Sequence, residues 1–317
     1  MSTFLSLGAV LVTAVLLAAG WDRVRRLGRS VLVLLAVCSL SATVFVQVNR
    51  LSGALPTSGV PEMSAGGGSR LLTVTVHGGR SGLDLPMYVY LPAAYGDGDR
   101  FPVIEALHGY PGTPGTWLGK LHVQSYLDRE ISAGRMAPAV VLFPTQTPRP
   151  LLDTECTNLR GGAQSETFLT VDVPAFTRAH YRIRTDRSAW GLTGYSAGAF
   201  CATNLLLRHP TRYAAAASLA GYAAPGIDVG DGSQNTTNNP LWRLRHLPRP
   251  SVALWLGWAA DDKESAADSQ RLTAAARAPI AATTAVIAHG GHSSAVWRQM
   301  EAPAFDWLSA HLARPLP

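Results

Sequence analysis

Gly194-Tyr195-Ser196-Ala197-Gly198 follows the mostly apolar run Ser188-Ala189-Trp190-Gly191-Leu192-Thr193. It precedes Ala199-Phe200-Cys201-Ala202-Thr203-Asn204-Leu205-Leu206-Leu207, which can continue as a helix. Strand, sharp turn and helix form the setting in which G-x-S-x-G leaves a serine hydroxyl projecting from a crowded bend. The flanking glycines let strand and helix pack closely. The pattern predicts that Ser196 is an exposed nucleophile.

Outward from this turn, strands and helices alternate. Leu71 to Val76 places Leu72, Val74 and Val76 on one face and Thr73 and Thr75 on the other, as a half-buried strand requires. Further strands are expected at 85–92, 101–107, 137–144, 188–193, 215–220, 251–257 and 282–288. Helices are expected at 117–132, 168–181, after Ser196, at 265–276 and at 302–312. The alternation predicts an α/β fold with a mainly parallel sheet and helices on both faces. The hairpin-like start predicts antiparallel strands at one edge.

A serine hydroxyl is a poor nucleophile at neutral pH and needs a base, which in turn needs an orienting acid. Along the chain Ser196 is followed by Asp261-Asp262, just after the strand 251–257, and by His289-Gly290-Gly291-His292, after the last strand. Each falls at the C-terminal end of a strand, where such sheets build their sites. The reading assigns Ser196, Asp262 and His292 to catalysis. Asp261 stays open as the orienting acid, since Asp261 and Glu264 also suit a helix N-terminus. His289 is read as structural, and His77, His122, His180 and His246 as surface or packing residues. Acyl chemistry also needs oxyanion donors. The N–H of Ala197 is one. In the loop Leu107-His108-Gly109-Tyr110-Pro111-Gly112, Pro111 has no N–H, so Tyr110 is the other.

With these residues in place, the chain resembles the esterase branch of the α/β-hydrolases, which includes esterase D and the actinobacterial mycolyltransferases. The matching stretches are Tyr88-Val89-Tyr90-Leu91-Pro92, Leu107-His108-Gly109, Gly194–Gly198, Arg208-His209-Pro210 and Gly290-Gly291-His292-Ser293 with Trp297. The resemblance spans Leu71 to Leu312 and implies the α/β-hydrolase fold, a serine esterase or acyltransferase, and no cofactor. It maps the family's nucleophile, base and oxyanion amides onto Ser196, His292, Ala197 and Tyr110. Asp153-Thr154-Glu155-Cys156, with Cys201, looks like envelope-associated actinobacterial members. Ser294 departs from the mycolyltransferases, which often show tryptophan there, and their fibronectin- and trehalose-contacting signatures are not recognisable.

The N-terminal fifty residues are unlike the rest. Phe4 to Gly20 and Ser30 to Val48 are apolar runs, each near the roughly 20 residues a helix needs to cross a bilayer. The arginine-rich loop between them is expected on the cytoplasmic side. Residues 1–50 therefore read as two transmembrane helices, 51–70 as a Ser-, Gly- and Pro-punctuated linker, and 71–317 as an extracytoplasmic catalytic domain. Two other readings are a signal peptide, for which Met1-Ser2-Thr3 offers no positive start, and an internal signal at Arg23 to Ala42. All three place the large domain outside.

Of the net charge of +6, six arginines against Asp22 and Glu62 put +4 within residues 1–70. The basic balance thus reflects topology signals and argues against a nucleic-acid partner. Cys38 lies in the second apolar run. Cys156 and Cys201 both lie in the large domain, where an oxidising compartment permits a disulfide, against the alternative of two unpaired thiols. No C-x-x-C or His/Cys cluster suggests a metal. The polar stretch Gly226 to Pro240, with Trp242 beyond it, reads either as a cover over the cleft or as a surface loop. Its Asn235-Thr236-Thr237 matches a glycosylation acceptor.

The expected activity is that of a membrane-anchored serine esterase or acyltransferase with lipid or small acyl-ester substrates. A catalytically silent receptor or scaffold and a serine peptidase are the alternatives.

Overall fold

The computed structural model describes residues 68–96 and 98–317, together with residues 31, 33–38, 40, 41 and 44. The described residues fall in two units, one within Met1–Leu55 and one within Pro56–Pro317. In the first, the described residues are helical. The run Phe4 to Gly20, and much of Ser30 to Val48, lie outside the described residues. Among the described residues, no helix is long and apolar enough to cross a membrane.

The second unit is built on an eight-stranded sheet in the order β1-β2-β4-β3-β5-β6-β7-β8. The strands are β1 (Arg70–Gly78), β2 (Leu83–Leu91), β3 (Val103–Leu107), β4 (Val140–Pro144), β5 (Trp190–Tyr195), β6 (Ala215–Leu219), β7 (Ala253–Ala259) and β8 (Ala281–Ile287). β1 pairs antiparallel with β2, and β2 with β4; every pairing from β4 onward is parallel. The antiparallel edge expected from the sequence is therefore the β1–β2 hairpin. Its turn is held by Asp172, which accepts from Arg80 N (3.0 Å) and Ser81 N (2.9 Å).

The helices are α1 (Gly115–Gly119), α2 (Val123–Ser132), α3 (Val173–His180), α4 (Ala197–Arg208), α5 (Pro240–His246), α6 (Lys263–Ala275) and α7 (Ser294–His311). Burial of both faces explains why the central strands read as continuous apolar runs. Val103 and Leu107 of β3 join the core under α3, α4 and α6, with Phe168, Phe200, Leu205 and Leu272. Ile104 and Ala106 join the opposite core under α1, α2 and α7, with Trp117, Leu127, Met300 and Phe305.

Several expected boundaries move. β3 starts at Val103, because Pro102 has no N–H for the ladder and Phe101 bridges Ile183 instead. The expected helix 117–132 is two helices, broken at His122, whose φ of 57° no helix accommodates. The expected helix 168–181 opens with a π turn, Phe168–Asp172. The last helix starts at Ser294 rather than Ala302, capped by Ser293 Oγ accepting from Val296 N (3.4 Å), and runs through Pro303.

Candidate active site

β5 ends at Tyr195 and α4 begins at Ala197, so the whole reversal falls on Ser196, at φ 56° and ψ −123°. Such a backbone is strained by roughly 1–3 kcal/mol for a residue with a Cβ. It persists because the surroundings fix it from both sides. Ser196 N donates to Leu219 O of β6 (3.0 Å), and Ser196 O accepts from Ala199 N (2.9 Å) and Phe200 N (3.1 Å). The flanking glycines are steric necessities. A Cβ on Gly194 would lie 2.1 Å from Gly198 O, and one on Gly198 would lie 2.2 Å from Leu107 O.

His292 reaches this turn from the loop after β8. Its Nε2 lies 2.8 Å from Ser196 Oγ, and its Nδ1 lies 2.7 Å from Asp262 Oδ2. Asp262 is buried at the end of β7, where its side chain also accepts from Ser265 N (3.4 Å) as the N-cap of α6. With Nδ1–H donated to the carboxylate, the Nε2 lone pair is left to accept the Ser196 hydroxyl proton.

The neighbouring carboxylates therefore divide the work. Asp261 accepts from Gly290 N (3.0 Å) and Gly291 N (2.9 Å), and these bonds hold its carboxyl below the usual range. Gly290 and Gly291 both take positive φ, which shapes the bend carrying His292. His289 is exposed, with Nδ1 3.9 Å from Asp261 Oδ2. Trp297, one turn into α7, meets the His292 ring edge-on at 5.2 Å and packs on Tyr195 at 4.6 Å.

The loop after β3 closes over the elbow. A Cβ on Gly109 would lie 3.2 Å from Ser196 Cβ and 2.7 Å from the Tyr195 ring. The backbone N–H groups of Tyr110 and Ala197 donate to no acceptor among the described residues, and both residues border one pocket. The loop is held by a clamp that no sequence motif announces: Gln146 Oε1 accepts from His108 N, and Gln146 Nε2 donates to His108 O (3.0 Å).

The other pocket wall is the segment bearing Cys156, which is disulfide-bonded to Cys201 of α4. Glu155 accepts from Tyr222 OH (2.8 Å) and from Gly226 N (2.9 Å), tying this segment to the chain after β6. Burial pushes its carboxyl up to about 7, and burial likewise raises Asp153. The stretch 226–240 is thus pinned, at one end to Glu155 and further on by Asn238 Oδ1 accepting from Asn204 of α4 (3.1 Å). Trp242 stacks on His246 at 4.7 Å. Among the described residues, no group of three or more His, Cys, Asp or Glu side chains is placed to hold a metal ion.

A protein-family profile described as Putative esterase matches residues 79–313. The chain belongs to this esterase family. It is 25% identical over 258 residues to an uncharacterized protein of Corynebacterium glutamicum, a match covering 75% of this chain and 60% of that one. The chain thus spans about three-fifths of that relative's length. Among solved structures, a ferulic acid esterase superposes with a TM-score of 0.69 at 20% identity, covering 77% of this chain and 99% of its own. An S-formylglutathione hydrolase from Agrobacterium tumefaciens superposes with a TM-score of 0.66 at 16% identity, covering 80% and 99%. These likenesses are of fold, and the fold is the α/β-hydrolase one.

Proposed function

We propose that the protein hydrolyses or transfers carboxylic esters through an acyl-enzyme on Ser196, with His292 as base and Asp262 as its orienting acid. The observation that carries this reading is the unbroken chain Asp262 Oδ2–His292 Nδ1 (2.7 Å) and His292 Nε2–Ser196 Oγ (2.8 Å). In the first half-reaction His292 Nε2 takes the Ser196 proton as Oγ attacks the ester carbonyl carbon. The oxyanion then accepts from the free N–H groups of Ala197 and Tyr110. His292 passes the proton to the departing alkoxide, which leaves as an alcohol. Water, or an acceptor alcohol in a transfer reaction, repeats the sequence in reverse on the acyl-Ser196 ester. Asp262 keeps its charge throughout and stabilises the imidazolium.

The substrates in this reading are acyl esters of the cell envelope, and the catalytic unit is anchored outside the cytoplasm by helices within residues 1–50. Its support is the pair of apolar runs flanking an arginine-rich loop and a disulfide in the catalytic unit, a bond that oxidising compartments favour.

A fluorophosphonate probe tests the chemistry. The wild-type chain is labelled and Ser196→Ala is not; equal labelling of both overturns the assignment. Protease added to intact cells tests the placement, which fails if residues 71–317 are digested only after permeabilisation. Mass spectrometry of the acyl group carried by Ser196 in native membranes identifies the donor.

A further inference from the structure

The two ends of the sheet differ in charge. Ser196, Asp262 and His292 follow the C-terminal ends of β5, β7 and β8. At the other end, Arg100 leads into β3, Arg212 into β6, Arg249 into β7 and Arg277 into β8. Arg70 opens β1 and stands at this end too, because β2 runs antiparallel to both β1 and β4. The approach to β5 adds Arg184, whose Nη1 donates to Arg314 O (2.8 Å) and brings the C-terminal segment alongside. Arg100 bridges Leu316 of that segment.

This end is short of acid. Among the described residues, the carboxylate side chains in its loops are Asp99 and Asp186, and Asp186 is paired with Arg184 (2.9 Å). Arg100, Arg277 and Arg314 are exposed, and Arg212 and Arg249 half-buried. None of these five makes an ion pair among the described residues. Arg212 faces a like charge instead: burial first, and Arg212 next, hold the Arg178 guanidinium below its usual range. Glu105, which feels both guanidinium groups, is pushed up to about 8 by burial and so offsets little of their charge near pH 7. The excess is one of placement, since residues 71–317 carry only +2, the chain's +6 less the +4 of residues 1–70.

Guanidinium groups pair with phosphate through two parallel hydrogen bonds. Strands about 4.8 Å apart spread these groups over roughly 30 Å, further than a small anion reaches and matched by a plane of headgroups. The chain also arrives at this end. Between Val48, which closes the second apolar run, and Arg70 lie 21 residues. A Gly- and Ser-type chain of that length spans about 25 Å. We propose that this arginine-bearing end docks on anionic phospholipid headgroups, so that the catalytic unit stands on the bilayer with Ser196 turned away from it. The proposal rests on the reading of residues 1–50 as the membrane anchor. β5 is 6 residues long, which puts the nucleophile about 20 Å beyond the docked end.

The test places the full chain in lipid nanodiscs of phosphatidylcholine, alone or with about one-third phosphatidylglycerol, and reads backbone hydrogen exchange by mass spectrometry. Residues 181–189 and 209–214 should exchange at least about threefold more slowly in the anionic discs, while 289–293 beside the nucleophile is unchanged. About 1 M salt, which cuts the screening length to about 3 Å, should erase the difference. Arg100, Arg212 and Arg314 make no side-chain hydrogen bond among the described residues. The variant Arg100→Gln/Arg212→Gln/Arg314→Gln should therefore keep fluorophosphonate labelling of Ser196 and lose the protection. Should that variant fail to fold, the lipid and salt comparisons on the wild type decide. Protection centred on 289–293, or protection that survives both salt and the triple variant, overturns the docking face. Protection raised in neutral discs by an oligonucleotide, but not by anionic lipid, assigns the face to nucleic acid and overturns it as well. Entry into the discs with equal exchange in both lipids removes this inference alone. Failure of the chain to enter the discs removes the anchor reading beneath it.

Discussion

The two adjacent aspartates show how one position decides a role. Asp262 faces His292 Nδ1 and Asp261 faces the amides of Gly290 and Gly291. Asp262→Asn replaces an acceptor with a group that can donate to Nδ1, which favours the tautomer whose Nε2 carries the proton and cannot accept from Ser196. A loss in kcat of about 10⁴-fold is expected, the scale known for this tautomer error. Asp261→Asn only loosens the bend holding the base, so its loss should be at least 100-fold smaller, with steady-state kinetics on a p-nitrophenyl ester as the readout. Comparable losses would contradict this division. Gly198 makes a separate steric case. A Cβ there meets backbone at 2.2 Å from Leu107 O and 2.7 Å from His108 O, and backbone has little room to move. Gly198→Ala should abolish fluorophosphonate labelling even where folded protein is recovered.

At the scale of elements, chemistry-bearing turns were legible and long-range ties were not. The elbow could be read because its glycines, serine and following helix sit within a few consecutive residues. The pair Asp261-Asp262 and His292 could be read because strand ends announce themselves by apolar runs, whereas which aspartate faces the imidazole depends on the folded loop. Nothing local announces that Gln146 clamps His108, that Glu155 ties to Gly226, or that a helix breaks at His122, which is neither glycine nor proline. Such features follow from partners far away in the chain. The disulfide stands between these cases, since the cysteines were visible but their pairing was left open against two free thiols. It joins positions 45 residues apart and ties the pocket segment to α4. A loop of that length corresponds to about 4 kcal/mol of lost unfolded-state freedom. The double variant Cys156→Ala/Cys201→Ala should therefore melt on the order of 10 °C lower by scanning calorimetry. A shift of under about 2 °C would mean that Glu155 and its partners alone hold the segment.

The whole molecule encloses more carboxyls than its ion pairs account for. Glu105 of β3 is fully buried with one bond from Tyr213 OH (3.2 Å), and Glu301 of α7 is fully buried with neither oxygen partnered among the described residues. Burial raises Glu105 to about 8 and Glu301 to about 9. Unfolded, both would ionise in the ordinary carboxylate range near pH 4.3. Across the interval between those values the folded state holds protons that the unfolded state has released. Folding stability must therefore fall as pH rises through that interval and level off above the folded values, by up to about 1.4 kcal/mol per pH unit for each carboxyl. Glu301→Gln removes one such proton. Urea unfolding between pH 6 and 8.5 should show a decline shallower by about one proton than that of the wild type, with the variant the more stable protein at pH 8 and its advantage shrinking toward pH 5. Parallel curves for the two proteins would mean that Glu301 is ionised in the native state. A cation or ordered water would then have to sit against it, and the core beneath Tyr195 and Trp117 would be a hydrated chamber rather than a dry one.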